Sequence, residues 1–139
     1  MISVEQRATL AGLADMLIPA GDGLPSASQA AAANQGLDEV LGSLPETEVP
    51  LAALLDKLRG ADPAEAIATL QTDDPAGFDL LCTVVAGAYF LNPEVRQAIG
   101  YPGQQAVPIV PEDPPDYEQD GLLASVIARG PIYRPTPSS

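Results

Sequence analysis

The sequence predicts an all-α protein: a compact bundle of about six helices over residues 1–103, then a long proline-rich, acidic, extended tail over 104–139 carrying one short helix near 120–129. Three observations carry this expectation. Leu, Ala, Val and Ile supply most of the apolar content while aromatic residues make up 4% with no Trp, which suits Ala- and Leu-rich helices better than a β-sandwich. Apolar residues up to Ile99 recur at spacings of three and four, the helical period. The fifteen prolines fall at helix starts, at helix ends and in the tail, where they punctuate elements without breaking them.

Ser3 and Gln6 form a capping-box pattern, and the helix they open carries Leu10, Leu13, Ala14, Leu17 and Ile18 on one face before Pro19 stops it. AGDGLP (20–25) reads as a turn-rich loop. Ser26 and Gln29 repeat the capping box, and Ala30, Ala33, Leu37, Val40, Leu41 and Leu44 then lie on one stripe, which predicts a second helix ending at Pro45. Gly36 inside that stripe is unfavourable relative to Ala and marks a close helix crossing. Leu51, Leu54, Leu55 and Leu58 define a third helix closed by Gly60; Asp62, Pro63 and Glu65 start a fourth that runs through Leu70.

Asp74 as N-cap and Pro75 at the first helical position open the stretch around which the rest is organised. Leu80, Leu81, Val84, Val85, Ala88, Tyr89 and Phe90 cover most of the helix circumference, so this is the expected central helix, with Cys82, Ala86, Gly87 and Ala88 allowing neighbours close. Asn92-Pro93-Glu94 restarts a short helix that Gly100 closes, and Tyr101-Pro102-Gly103-Gln104 places Pro and Gly at the centre of a type II turn.

The run AYFLNPEVRQAIGYPGQ (88–104) resembles the gluconate 2-dehydrogenase subunit 3 family, whose members end their core with a Tyr-containing helix, an "NPEVR"-like segment and a "GYPGQ"-like turn. The opening helix LAGLADMLIPA (10–20) is similar to that family's first helix, which commonly ends in "LIP". The resemblance implies a non-catalytic small subunit of a flavin-dependent oxidoreductase complex. Its large partner would be a flavoprotein of the glucose–methanol–choline type, holding FAD and oxidising an alcohol group of a sugar or related substrate. No catalytic residue carries over to this chain, and FAD is expected in the partner alone. The candidate partner interface is Tyr89, Arg96, Tyr101, Pro102, Gly103 and Gln104, with Leu122, Leu123, Tyr133 and Arg134 in the tail. Tyr and Arg are residue types enriched among interface anchors.

Composition narrows the remaining choices. A net charge of −13 with six basic residues disfavours nucleic acid and anionic membrane surfaces and suits docking on a neutral or basic protein face. With no His, a Ser-His or Cys-His nucleophile is impossible. The single Cys82 excludes an internal disulfide and is expected as buried filler. Gly21-Asp22-Gly23 lacks the spacing and preceding strand of a nucleotide loop. Asp73-Asp74 reads as helix capping, and Glu112, Asp113, Asp116, Glu118 and Asp120 as a solvated acidic linker without calcium-loop spacing, so no metal or cofactor site is expected in this chain. No apolar run reaches bilayer length and no secretory or twin-arginine signal is seen, so the chain is expected to be cytoplasmic, or periplasmic only if co-exported or trimmed.

After residue 104, Pro108, Pro111, Pro114 and Pro115 predict extended, semi-rigid chain, and Asp120 is the expected cap of a brief helix bearing Leu122, Leu123, Val126 and Ile127. So short a helix needs support, either from its own bundle or from a partner. A stand-alone helical interaction or scaffold domain is the competing reading of the whole chain, and a small carboxylate acid–base enzyme is the third.

Overall fold

The computed structural model describes residues 1–106, 120–130 and 132, and the chain divides into two units, Met1–Gly103 and Gln104–Ser139. The first unit is a helical bundle. Its order is α1 (Val4–Leu17), a π-helical turn (Ala32–Gly36), α2 (Leu37–Ser43), a 3-10 turn (Pro45–Thr47), α3 (Glu48–Lys57), α4 (Pro63–Asp73), α5 (Pro75–Leu91) and α6 (Pro93–Ala98). The protein is all-α, and no strand occurs among the described residues.

Side-chain caps set the starts of α1, α4, α5 and α6. The Ser3 hydroxyl accepts from the Gln6 amide at 3.2 Å while Gln6 Oε1 accepts from the Ser3 amide at 2.8 Å, closing the capping box of α1. Gln6 is itself buried, and its Nε2 donates to the Ala52 carbonyl at 3.3 Å and to Asp56 Oδ2 at 3.1 Å, fastening α1 to α3. Asp62 Oδ1 accepts from the Ala64 and Glu65 amides at the start of α4, Asp74 Oδ1 from the Gly77 amide in α5, and Asn92 Oδ1 from the Glu94 and Val95 amides in α6. At each of these three starts a proline follows the cap, where its missing N–H leaves no donor orphaned.

The stretch expected as one long second helix is not one. The Ser26–Gln29 box forms, at 2.9 and 3.4 Å, but Ala31 turns left-handed at φ +54° and Asn34 sits at φ −118°, ψ −105°, so α2 begins only at Leu37. The reason is tertiary. Carbonyls of this stretch accept from distant side chains: Arg7 Nη1 donates to Ala33 and Asn34, both at 3.1 Å, and Asn92 Nδ2 to Ala30 at 3.0 Å, with the Asn34 carbonyl taking the Leu37 amide as well. Arg7 also pairs with Asp38, and the Asp15 carboxylate accepts from the Ser28 amide and hydroxyl at 2.7 and 2.6 Å. The small residues Ala27, Ala30, Ala32, Ala33 and Gly36 are all buried, which lets this irregular backbone lie close on its neighbours.

Gly36 marks the close crossing that its position in the sequence suggests. A Cβ built there would fall 2.5 Å from the Ala88 carbonyl oxygen on α5, so only glycine fits. α5 packs against the π turn, α2, α3, α4 and α6, and Leu10, Leu13, Leu37, Leu51, Leu55, Leu70, Leu81, Val84 and Val95 are the largest fully enclosed side chains. The enclosure of α5 is incomplete, however. Leu81, Val84, Val85, Ala88 and Tyr89 are buried, whereas Leu80 and Cys82 are half-buried and Phe90 and Leu91 are exposed. One face of the helix, with Thr83, Phe90 and Leu91 on it, is left uncovered while the opposite face stays buried as far as Tyr89.

In the second unit, α7 (Ala124–Arg129) is shorter than expected, and no side-chain hydrogen bond caps it, so Asp120 does not perform the capping role assigned from sequence. Backbone carbonyls take the amides at the start of α7 instead: the Ala124 amide donates to the Gly121 carbonyl at 3.0 Å and the Ile127 amide to the Leu123 carbonyl at 2.8 Å. No helix among the described residues is long and apolar enough to cross a membrane.

Two tests follow from these contacts. Gly36→Ala should destabilise the protein by about 1–3 kcal/mol in urea unfolding through overpacking, whereas Gly42→Ala, where a Cβ meets nothing within 4 Å, should be neutral or stabilise it by up to about 1 kcal/mol. Equal effects at the two glycines would refute the close crossing. Burial works to raise the Asp15 carboxyl, but hydrogen bonds from the Ser28 hydroxyl and amide and from the Ser26 hydroxyl outweigh it and hold the group below its ordinary value. A lowered folded value adds stability above the unfolded value of about 4, lost as pH falls through the folded one. The stability gap between wild type and Asp15→Asn should therefore shrink on acidification below about pH 4; a gap that does not change with pH would contradict it.

Candidate partner-binding surface

The corner where α6 turns into the following loop is built almost entirely by backbone geometry. Asn92 caps α6 at one end. At the other, Gly100 takes φ +70°, its amide donates to the Gln97 carbonyl at 3.1 Å, and the Tyr101 amide donates to the Arg96 carbonyl at 2.8 Å. These two bonds are the paired closure of a Schellman motif, which needs a residue free to adopt the left-handed conformation and finds it in glycine. The closure folds Tyr101 back beside Arg96. Gly103 then takes φ +78°, the value that the second central position of a type II turn requires.

The result is an open hollow of about 460 Å³ lined by Pro93, Arg96, Gln97, Gly100, Tyr101 and Pro102. Tyr101 is 51% exposed, Pro102 and Gln104 are exposed, and Arg96 and Gly103 are half-buried. The cations of the bundle divide by partner: Arg7 pairs with Asp38, Arg59 with Asp56 at 2.7 Å and Lys57 with Asp74 at 3.8 Å. Among the described residues no carboxylate lies within ion-pair distance of Arg96, in a chain whose net charge is −13. Nor does its guanidinium donate a hydrogen bond to any of the described residues.

Tyr89 belongs elsewhere. It is 2% exposed, its hydroxyl donates to the Pro25 carbonyl at 2.7 Å, and its ring meets Phe90 edge-on at 5.3 Å and 81°. It anchors the 20–25 loop to α5, a loop that Asp22 and Gly23 reverse with the paired positive φ values, +50° and +81°, of a type I′ turn. Tyr89 is thus a core residue in this fold and offers no outer face. Leu122 is 71% exposed and Leu123 half-buried beside α7, in the second unit, while Tyr133 and Arg134 lie outside the described residues.

The surface missed in the sequence is apolar. Val40, Leu44, Thr83, Gly87, Phe90 and Leu91 line a hollow of about 420 Å³ between α2 and α5. Its signal was present, because a helix apolar nearly all round must show whatever its neighbours leave uncovered. Cys82, expected as buried filler, is half-buried; burial pushes its thiol up and the Asp79 carboxylate adds to the rise, which keeps it protonated and weakly nucleophilic near neutral pH. Among the described residues no group of His, Cys, Asp and Glu side chains converges as a metal site; Glu112, Asp113, Asp116 and Glu118 lie outside those residues, and Asp120 is exposed. The groups these surfaces offer are a fork of donors, a phenol, rigid prolines and an apolar floor. No protein-family model, curated protein or solved structure matches the chain.

Proposed function

We propose that the chain is a non-catalytic small subunit of a flavin-dependent oxidoreductase complex, binding and stabilising an FAD-containing large subunit of the glucose–methanol–choline type that oxidises an alcohol group of a sugar or related substrate. The observation that carries the proposal is that, of the segment with the family resemblance (88–104), Ala88 and Tyr89 lie in the core while the part from Asn92 to Gln104 projects Arg96 and Tyr101 at an exposed corner. Residues that serve only packing would be expected inside. Here Val95 alone in that part is fully buried, holding α6 to the bundle while its neighbours face outward.

In this proposal FAD and every catalytic group belong to the partner. The small subunit contributes a rigid helical surface, and the tail beyond residue 104 extends the contact. The complex buries well above the ~1,600 Å² of a standard interface, as obligate assemblies do.

Co-expression with a large flavoprotein of the glucose–methanol–choline type, sought among the genes beside this chain's own, tests the proposal. The expected result is a flavin-coloured hetero-complex, and a large subunit that is insoluble or poorly loaded when made alone. A large subunit that is soluble, flavin-loaded and fully active by itself, beside a colourless 14.3 kDa monomer, would overturn it and favour the stand-alone interaction domain.

A further inference from the structure

The apolar hollow and the Arg96 hollow are parts of one seam. A Cβ at Gly87 would stand 3.1 Å from Val40 Cγ2, so it is the bare helix face at this glycine that lets α2 and α5 meet beneath an open floor. On that floor Leu44, Phe90 and Leu91 are 37%, 50% and 37% exposed. A narrow neck of about 40 Å³ shares Leu91 with this hollow and reaches Pro93, and Pro93 is a wall of the Arg96 hollow. The seam thus runs along the last turns of α5 and over the start of α6. From Thr83 to Leu91 alone it covers ~12 Å at 1.5 Å per residue, the reach of about four residues of extended chain.

Charge gives the seam a direction. No charged side chain lines the apolar end. In the neck, Gln35 Nε2 donates to Glu39 Oε1 at 3.0 Å, so a carboxylate marks the middle. The far end presents Arg96. A polyanion such as nucleic acid would meet Glu39 and the net charge of −13, which excludes it. The complementary ligand has apolar side chains at one end, a hydrogen-bond donor at its middle and a carboxylate at the other end.

We propose that this seam is a docking groove for a segment of a partner polypeptide, its apolar side chains seated on Leu44, Phe90 and Leu91 and an Asp or Glu carboxylate paired with Arg96. This rests on the partner-binding function only in that the occupant is another protein; it does not require that protein to be a flavoprotein. The ion pair supplies register and the apolar end supplies most of the affinity, as aromatic-rich and Arg-containing centres do at interfaces.

The test places a photo-crosslinker in the full-length chain in its native cells, as Phe90→p-benzoylphenylalanine or Tyr101→p-benzoylphenylalanine, with a control at Thr69 on the exposed face of α4. Both groove positions should cross-link to neighbouring peptides of one foreign polypeptide with an Asp or Glu between or beside them, and Thr69 should not. Adding Arg96→Glu should cut the Phe90 yield about tenfold or more, while Arg96→Lys should retain most of it. Cross-links to residues 104–139 of the same chain, to a second copy, or to nothing would overturn the proposal, as would a yield that ignores Arg96→Glu. Groove cross-links to a protein without flavin would uphold the docking groove and refute the oxidoreductase function. A co-purifying flavoprotein without groove cross-links would do the reverse.

Discussion

A glycine with no room for a methyl group is the constraint on which this bundle depends. Because Gly36 lets the π turn approach the Ala88 carbonyl, the irregular backbone of residues 26–36 lies between α1 and α5 instead of running as a helix outside them. That placement leaves its carbonyls facing Arg7 on α1 and Asn92 at the junction of α5 and α6, and both side chains donate to them. The Pro25 carbonyl, just before it, takes the Tyr89 hydroxyl. One close approach therefore determines the partners of several polar groups, and buried polar groups without partners are what a fold can least tolerate.

The same arrangement fixes the outward corner. Asn92 does two jobs, capping α6 with Oδ1 and holding the π-turn region with Nδ2, so the direction in which α6 leaves the bundle is tied to the core. Val95 locks the inner face of α6, and the Schellman closure at Gly100 returns Tyr101 to Arg96. Arg96 is half-buried on a short helix and has no carboxylate partner among the described residues, so no ion pair there competes with an anionic contact from outside. The uncovered face of α5, with Phe90 and Leu91, adds an apolar floor. This combination of anchor types is what the proposed partner-binding role draws on.

Local chemistry was legible in the sequence to the degree that it was local. Cap-and-proline starts at Asp62, Asp74 and Asn92, the Ser3–Gln6 box and the glycine closure at Gly100 all depend on residues within a few positions of one another. The break at 26–36 was not legible, because the stripe from Ala30 to Leu44 has a sound helical period and the agents that interrupt it, Arg7 and Asn92, are far away in sequence. Tyr89 and Phe90 show the same limit. Adjacent residues on one apolar helix look interchangeable, yet the neighbours of α5 cover one and leave the other bare. Arg96 was recognisable as a candidate, but its lack of an ion pair among the described residues emerges only in three dimensions.

Amide hydrogen exchange on the chain alone and in complex with the proposed flavoprotein partner tests the central claim most directly. The account predicts slow exchange over 81–89 in both states, where α5 is buried, and new protection over 93–104 only in the complex. Unchanged exchange over 93–104 on complex formation would contradict it.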